Sequence, residues 1–149
     1  MTGRGTALLA TLLFGCGPSA TSYEVDLIPD RHCTTRAGVE TCNLPGADRL
    51  TSTLLIEPRG DTVLMQLGDQ LFVATGSELK ATRTVESSRA DQGCQSRSVH
   101  ALSVSQGWGT VSGSYTEQEI ADGPSGLCGQ TPYGESQGFQ LAGTEISDP

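Results

Sequence analysis

The sequence predicts a small all-β protein: an antiparallel barrel of about eight strands, with a β-sandwich as the alternative, stabilised by disulfides. Three observations predict it. Short runs rich in β-branched and apolar residues recur between turn-formers across residues 51–86. No stretch behind the first 15 residues repeats its apolar positions every 3.6 residues, so almost no helix is expected. Cys33, Cys42, Cys94 and Cys128 follow an export-type leader, and an even set of cysteines in an exported chain is the pattern of a disulfide framework.

The leader comes first. Met1 to Gly5 carries one charge, Arg4, and Ala7 to Phe14 is apolar. A basic start, a short apolar run and a small residue before the cut mark a secretory signal. The run is far below the roughly 20 apolar residues that a spanning helix needs. Its end, Leu13-Phe14-Gly15-Cys16, resembles the bacterial lipobox, with Leu three residues before the Cys and a small residue just before it. Phe14 departs from the small or branched residue that the family places there.

The resemblance implies that the Cys16 thiol takes a diacylglyceryl group. A peptidase then cuts before Cys16, and the new amine is acylated, typically with palmitate. One acyl chain holds a protein only marginally, whereas two or more hold it stably. The lipid bilayer is thus the expected partner, reached through lipid on Cys16. Gly17 rather than Asp at the second mature position implies, by the same resemblance, the outer membrane of a bacterial envelope. The expected layout is a signal over 1–15, a lipidated tether over 16–22 and one all-β domain over 23–149.

Removing the signal leaves 134 of the 149 residues, enough for one domain with a useful core. The formal charge is −8, and −9 once Arg4 is gone. Such a chain repels nucleic acid and anionic lipid surfaces, so neither is expected as a partner. Four cysteines allow three connectivities. Cys33–Cys42 and Cys94–Cys128 are favoured, because Ala37-Gly38 offers a turn inside the first loop and the second bridge would join two long loops. The competing reading, zinc held by Cys33, Cys42 and His32 or His100, lacks a Cys-x-x-Cys pair.

The strands follow in order. Tyr23 to Ile28 is expected to pair with the last strand and close the sheet. Thr51–Glu57, Asp61–Leu67, Gln70–Thr75 and Glu78–Glu86 read as a four-stranded meander. Pro58-Arg59-Gly60, Gly68-Asp69 and Gly76-Ser77 separate them. The last two loops have Gly first, which suits type II′ turns. They set Met65 opposite Phe72, Val63 opposite Ala74, Ala74 opposite Leu79 and Phe72 opposite Ala81. That face is apolar and should be core. The other face carries Leu64, Leu71 and Val73, either covered or left as a patch. Arg97–Gln106, Trp108–Glu117 and Gly138–Ile146 complete the set. Gly109 and Gly113 would relieve crowding beside Val111 and Tyr115. Ser87–Ser96 and Ala121–Gln137 read as long polar loops.

Catalytic signals are sparse. Gly134-Glu135-Ser136-Gln137-Gly138 matches the Gly-x-Ser-x-Gly elbow, but a strand-like segment follows it and no His comes later. His100 should pack beside Leu102 and Val104, and His32 should be solvated in a loop. Glu117, Glu119 and Asp122 read as a solvated acidic loop without calcium-loop spacing. Arg59-Gly60-Asp61 is explained as a turn, and Asn43-Leu44-Pro45 is no glycosylation acceptor. Trp108, between two glycines, should cap a barrel end or line a ligand mouth. No metal or cofactor motif stands out. The expected function is that of an envelope lipoprotein whose β-domain binds a partner or acts structurally and is not an enzyme. The alternatives are a lipocalin-like carrier of a small apolar ligand and a hydrolase using Ser136.

Overall fold

The computed structural model describes residues 19–46, 48–89, 93–122 and 133–146. Nine antiparallel strands make up the fold, and no helix occurs among the described residues. They are β1 (Thr21–Arg36), β2 (Val39–Asn43), β3 (Leu50–Arg59), β4 (Thr62–Leu67), β5 (Gln70–Thr75), β6 (Lys80–Arg89), β7 (Cys94–Gln106), β8 (Thr110–Asp122) and β9 (Tyr133–Glu145). Eight of them run in the order β5-β4-β3-β1-β9-β8-β7-β6 and curl into a nearly closed barrel. β2 pairs only with the far half of β1. The barrel rather than the sandwich is therefore the architecture, and Tyr23–Ile28 does join the last strand, through Tyr23↔Glu145 to Ile28↔Gln140.

The expected register holds in the middle of the meander and fails at its end. Met65 faces Phe72 and Val63 faces Ala74. Gly68 has a φ of 58°, and Asp69 is not among the positive-φ residues, as a turn with Gly first requires. The turn between β3 and β4 is Gly60-Asp61, because Pro58 and Arg59 still pair with Val63 and Thr62. β5 and β6, however, form the two ends of the sheet and do not pair as a ladder. The Leu79 carbonyl, at the approach to β6, accepts from Val104 N–H of β7 instead. β6 then runs ten rungs along β7, from Lys80↔Ser103 to Arg89↔Cys94, a longer ladder than six-residue β5 can offer. Leu79 and Ala81 still pack against the core, so the face was right and the partner was wrong.

Inside the barrel, apolar side chains alternate inward on every strand. Val25, Leu54, Ile56, Met65, Phe72 and Leu102 are essentially inaccessible to solvent. The outer face is mostly polar, the reverse of a membrane-spanning barrel, whose apolar band faces lipid. Leu71 and Val73 are about half exposed there, so they form the patch rather than lie under another element. Gly113 allows a tight inner approach: a Cβ there would lie 2.1 Å from the Ser103 carbonyl oxygen. Gly109, by contrast, sits in the turn before β8 with a φ of 63° and plays no part in relieving the strand.

Both expected long loops shrink. β6 continues to Arg89 and β7 starts at Cys94, while β8 continues to Asp122 and β9 starts at Tyr133. Together with the far half of β1 they extend the sheet beyond the barrel body as an overhang, which β2 lines on one edge. β1 changes partner from β3 to β2 between Leu27 and His32. Pro29, which has no N–H to donate, falls in that gap, and a bulge at Asp30 follows it.

Candidate functional site

A polar ring crosses the sheet where the barrel body meets the overhang. Cross-strand partners lie on the same face. The register runs His32↔Gln137, Gln137↔Glu117, Glu117↔His100 and His100↔Arg83, one residue each from β1, β9, β8, β7 and β6. His100 shares its face with inward-facing Leu102 and Val104, so the row opens toward the barrel interior. Arg83 continues it by donating to Gln70 Oε1 of β5, a side-chain bridge over the seam where β5 and β6 lack a ladder. Gln70 in turn donates to Asp69 Oδ1 at 3.2 Å. Six polar side chains, His32, Gln137, Glu117, His100, Arg83 and Gln70, thus rim one barrel mouth, with Asp69 beside them.

The next inward row is a plug. Tyr115 pairs with Phe139 across β8 and β9, and their rings stack with centroids 5.8 Å apart. Phe72, from β5 on the far side of the seam, meets Tyr115 edge to face at 6.4 Å. These contacts fill the mouth beneath the ring. The Tyr115 hydroxyl shares a 2.8 Å hydrogen bond with His100 Nδ1, which accounts for a buried histidine in an apolar wall. Burial, and then the negative charges of Glu117 and Asp69, push the Tyr115 phenol up to about 12, while Arg83 pulls the other way. The phenol is neutral near pH 7 and serves as the hydrogen-bonding partner of His100.

The row outward of the ring is acidic. Glu135 and Glu119 are direct partners there, on the same face as Glu117. His32 Nε2–H donates to Glu135 Oε1 at 2.8 Å, with both side chains about one-third exposed. His32 is thus a strand residue with an acidic partner, and the solvated loop expected for it is overturned. Glu117 and Glu119 likewise lie on β8 rather than in a loop. On the outer face of the same strands lies a shallow trough of two adjoining hollows, of about 360 and 320 Å³. Ser114 and Thr116 line both, with Lys80 in one and Asp30 and Arg31 in the other.

The other sequence candidates scatter. Cys33 and Cys42 are bonded, S–S 2.08 Å, across the Ala37-Gly38 turn between β1 and β2. They gather with Glu40 into a cluster of metal-ligating types, but both sulfurs are spent on each other, so zinc at this pair is not compatible with the bridge. Cys94 opens β7; Cys128, and with it the second bridge, lies outside the described residues, as does Cys16. Ser136 sits inside β9, paired with Cys33 and Gln118, without the strand-to-helix turn of a nucleophile elbow. His32 is on the opposite face of that sheet from Ser136.

Trp108 neither caps the barrel nor lines a mouth. It stands fully exposed at the tip of the β7–β8 turn. Its expected capping role falls to Tyr23 and Gln106, whose side chains bond at 2.9 Å across the barrel end. Sequence reasoning missed the ring because its members are far apart in the chain, and only the cross-strand register collects them. Compared with protein-family models and with curated protein sequences, the chain matches none.

Proposed function

We propose that the protein is a lipid-anchored lipoprotein of a bacterial envelope, probing its surroundings as a non-enzymatic binding module through the polar ring. The observation that carries this reading is one of placement. β1 begins at Thr21, beside Ile56 and close to the end of β9, whereas the ring lies at the opposite barrel end. A lipid on Cys16 therefore tethers the protein by its Thr21 end, the end opposite the ring. The Phe72–Tyr115–Phe139 plug supports binding at the rim over a ligand carried inside. The ring offers Arg83, two histidines, two glutamines and Glu117, with Glu119 and Glu135 just outside. That set suits a polar, cation-bearing ligand.

Two measurements test it. Cys16→Ala should move the protein out of the membrane fraction and abolish lipid labelling; a variant that stays membrane-bound overturns the anchor. A photo-crosslinker at Gln137 should trap a discrete adduct in intact cells, while one at Thr62, on the membrane-facing end, should not. Equal labelling at both positions overturns the ring as the binding face.

A further inference from the structure

The Thr21 end of the barrel carries an unusual exposed residue. Trp108, the only tryptophan in the chain, is completely solvent-accessible at the tip of Gly107-Trp108-Gly109. Tryptophan is rarely left entirely in water by a folded domain, since its ring offers a large apolar area. Ile146, at 44% exposure, is its apolar neighbour at this end. Backbone bonds fix that proximity: Glu145 N–H donates to the Gly109 carbonyl at 2.9 Å, and Ile146 N–H donates to the Ser22 carbonyl at 2.8 Å. The β7–β8 tip, the end of β9 and the start of β1 are therefore one contiguous corner.

Charge is consistent with contact between this corner and lipid. Ala101 to Thr116 contains no acid, Lys or Arg, and neither does Gly17 to Tyr23. Bringing the hairpin tip to a headgroup layer therefore desolvates no ionised group of its own, and the exposed Glu145 beside it, at the end of β9, is an acid that must stay hydrated at the contact's edge. The chain outside the described residues ends at this corner as well. Four residues separate Cys16 from Thr21. Even fully extended they reach only about 18 Å, so a lipid on Cys16 would keep Trp108 close to the bilayer at high effective concentration.

We infer that this corner is a membrane-docking surface, with Trp108 seated at the headgroup level of the bilayer that holds Cys16. Tryptophan favours that layer because its ring is apolar while its N–H remains hydrated. The inference rests on the lipid-anchor reading and adds an orientation to it. A tether alone leaves the barrel free to tumble; the docked corner stands the barrel on end and fixes the polar ring outward.

The test uses the full lipidated chain in zwitterionic phosphatidylethanolamine–phosphatidylcholine vesicles, with Trp108 as the sole indole reporter. Docking predicts a blue-shifted emission relative to the soluble Cys16→Ala form. It also predicts roughly twofold quenching by lipids brominated near the headgroup, with weaker quenching by bromines deep in the chain, as interfacial tryptophans show. Vesicle-bound protein with unshifted, unquenched emission overturns the docking and leaves the anchor standing. Protein that carries no lipid on Cys16 and does not float with the vesicles overturns both.

Discussion

The barrel body and its overhang are built from the same strands by different means. In the body, each strand buries one face, and Phe72, Leu54, Ile56 and Met65 are sealed from solvent. In the overhang, β2 is exposed at every position, and the ladders continue with little apolar burial. What holds the overhang is backbone pairing, a disulfide and polar side-chain contacts. Backbone hydrogen bonds contribute modestly in net terms, while apolar burial dominates folding free energy. The body should therefore govern global stability, and the overhang should respond locally. The polar ring sits at the boundary between the two.

This difference also explains what could be read from the sequence. In the body, burial on one face writes an alternating pattern, and it agrees with the facing of Met65 with Phe72 and Val63 with Ala74 that the Gly68-Asp69 turn sets. Gln95 and Ser96 carry no such pattern, because neither is deeply buried, so they read as loop although β6 and β7 pair there. The β5–β6 pairing failed for another reason. A two-residue turn signal reports local geometry, and the competing ladder with β7 is a long-range choice. The ring was illegible because no local pattern links residues 32, 83, 100, 117 and 137. The exposure of Trp108 was illegible because Tyr23 and Gln106, 83 residues apart, already close that end.

The largest expected effect lies in the body. Phe72 is 1% exposed and touches Tyr115 across the seam that no backbone ladder closes. Phe72→Ala should lower unfolding free energy by about 3–5 kcal/mol, read from urea midpoints. An effect below about 1 kcal/mol would break the comparison, since the seam would then not depend on its core contacts.

Tyr115 lies one row inside the ring, and its effect should be set by pH. Its folded pKa is raised, to about 12 from 10, so the neutral phenol's contribution is fully present below pH 10. The contribution falls as pH rises from 10 through 12. Two units correspond to a loss on the order of 2–3 kcal/mol. Urea denaturation between pH 9 and 12 should show this slope in the native chain. Tyr115→Phe should flatten that part of it and, at pH 7, cost about 1 kcal/mol for the lost bond to His100. An unchanged alkaline slope would show that the phenol is not buried as described.

The Cys33–Cys42 bridge sharpens the contrast from the other side. It closes a short loop, with a sequence separation of 9, for which chain entropy gives about 2–3 kcal/mol in the hairpin itself. Because β2 pairs with β1 alone, the hairpin can open without disturbing the body. Replacing both cysteines with serine should speed amide exchange across Thr34–Thr41 while moving the urea midpoint by less than about 1 kcal/mol equivalent. A loss comparable to that of Phe72→Ala would make the overhang part of the cooperative core.

The smallest effect is expected where a ligand would act. His32 and Glu135 form a hydrogen-bonded pair with each side chain about one-third exposed. Pairs of this exposure contribute between zero and about 1 kcal/mol, because water competes for both partners. A double-mutant cycle with His32→Gln and Glu135→Gln should return a coupling in that range, and it should shrink in high salt. Weak coupling is what the ring needs if it is to bind. A pair worth several kcal/mol would have to be broken before Glu135 or His32 could turn to an incoming group, whereas one of about 0.5 kcal/mol exchanges its partner at little cost. A coupling above about 2 kcal/mol would therefore make this pair a brace for the overhang and shift the binding role to Arg83, Glu117 and Gln137.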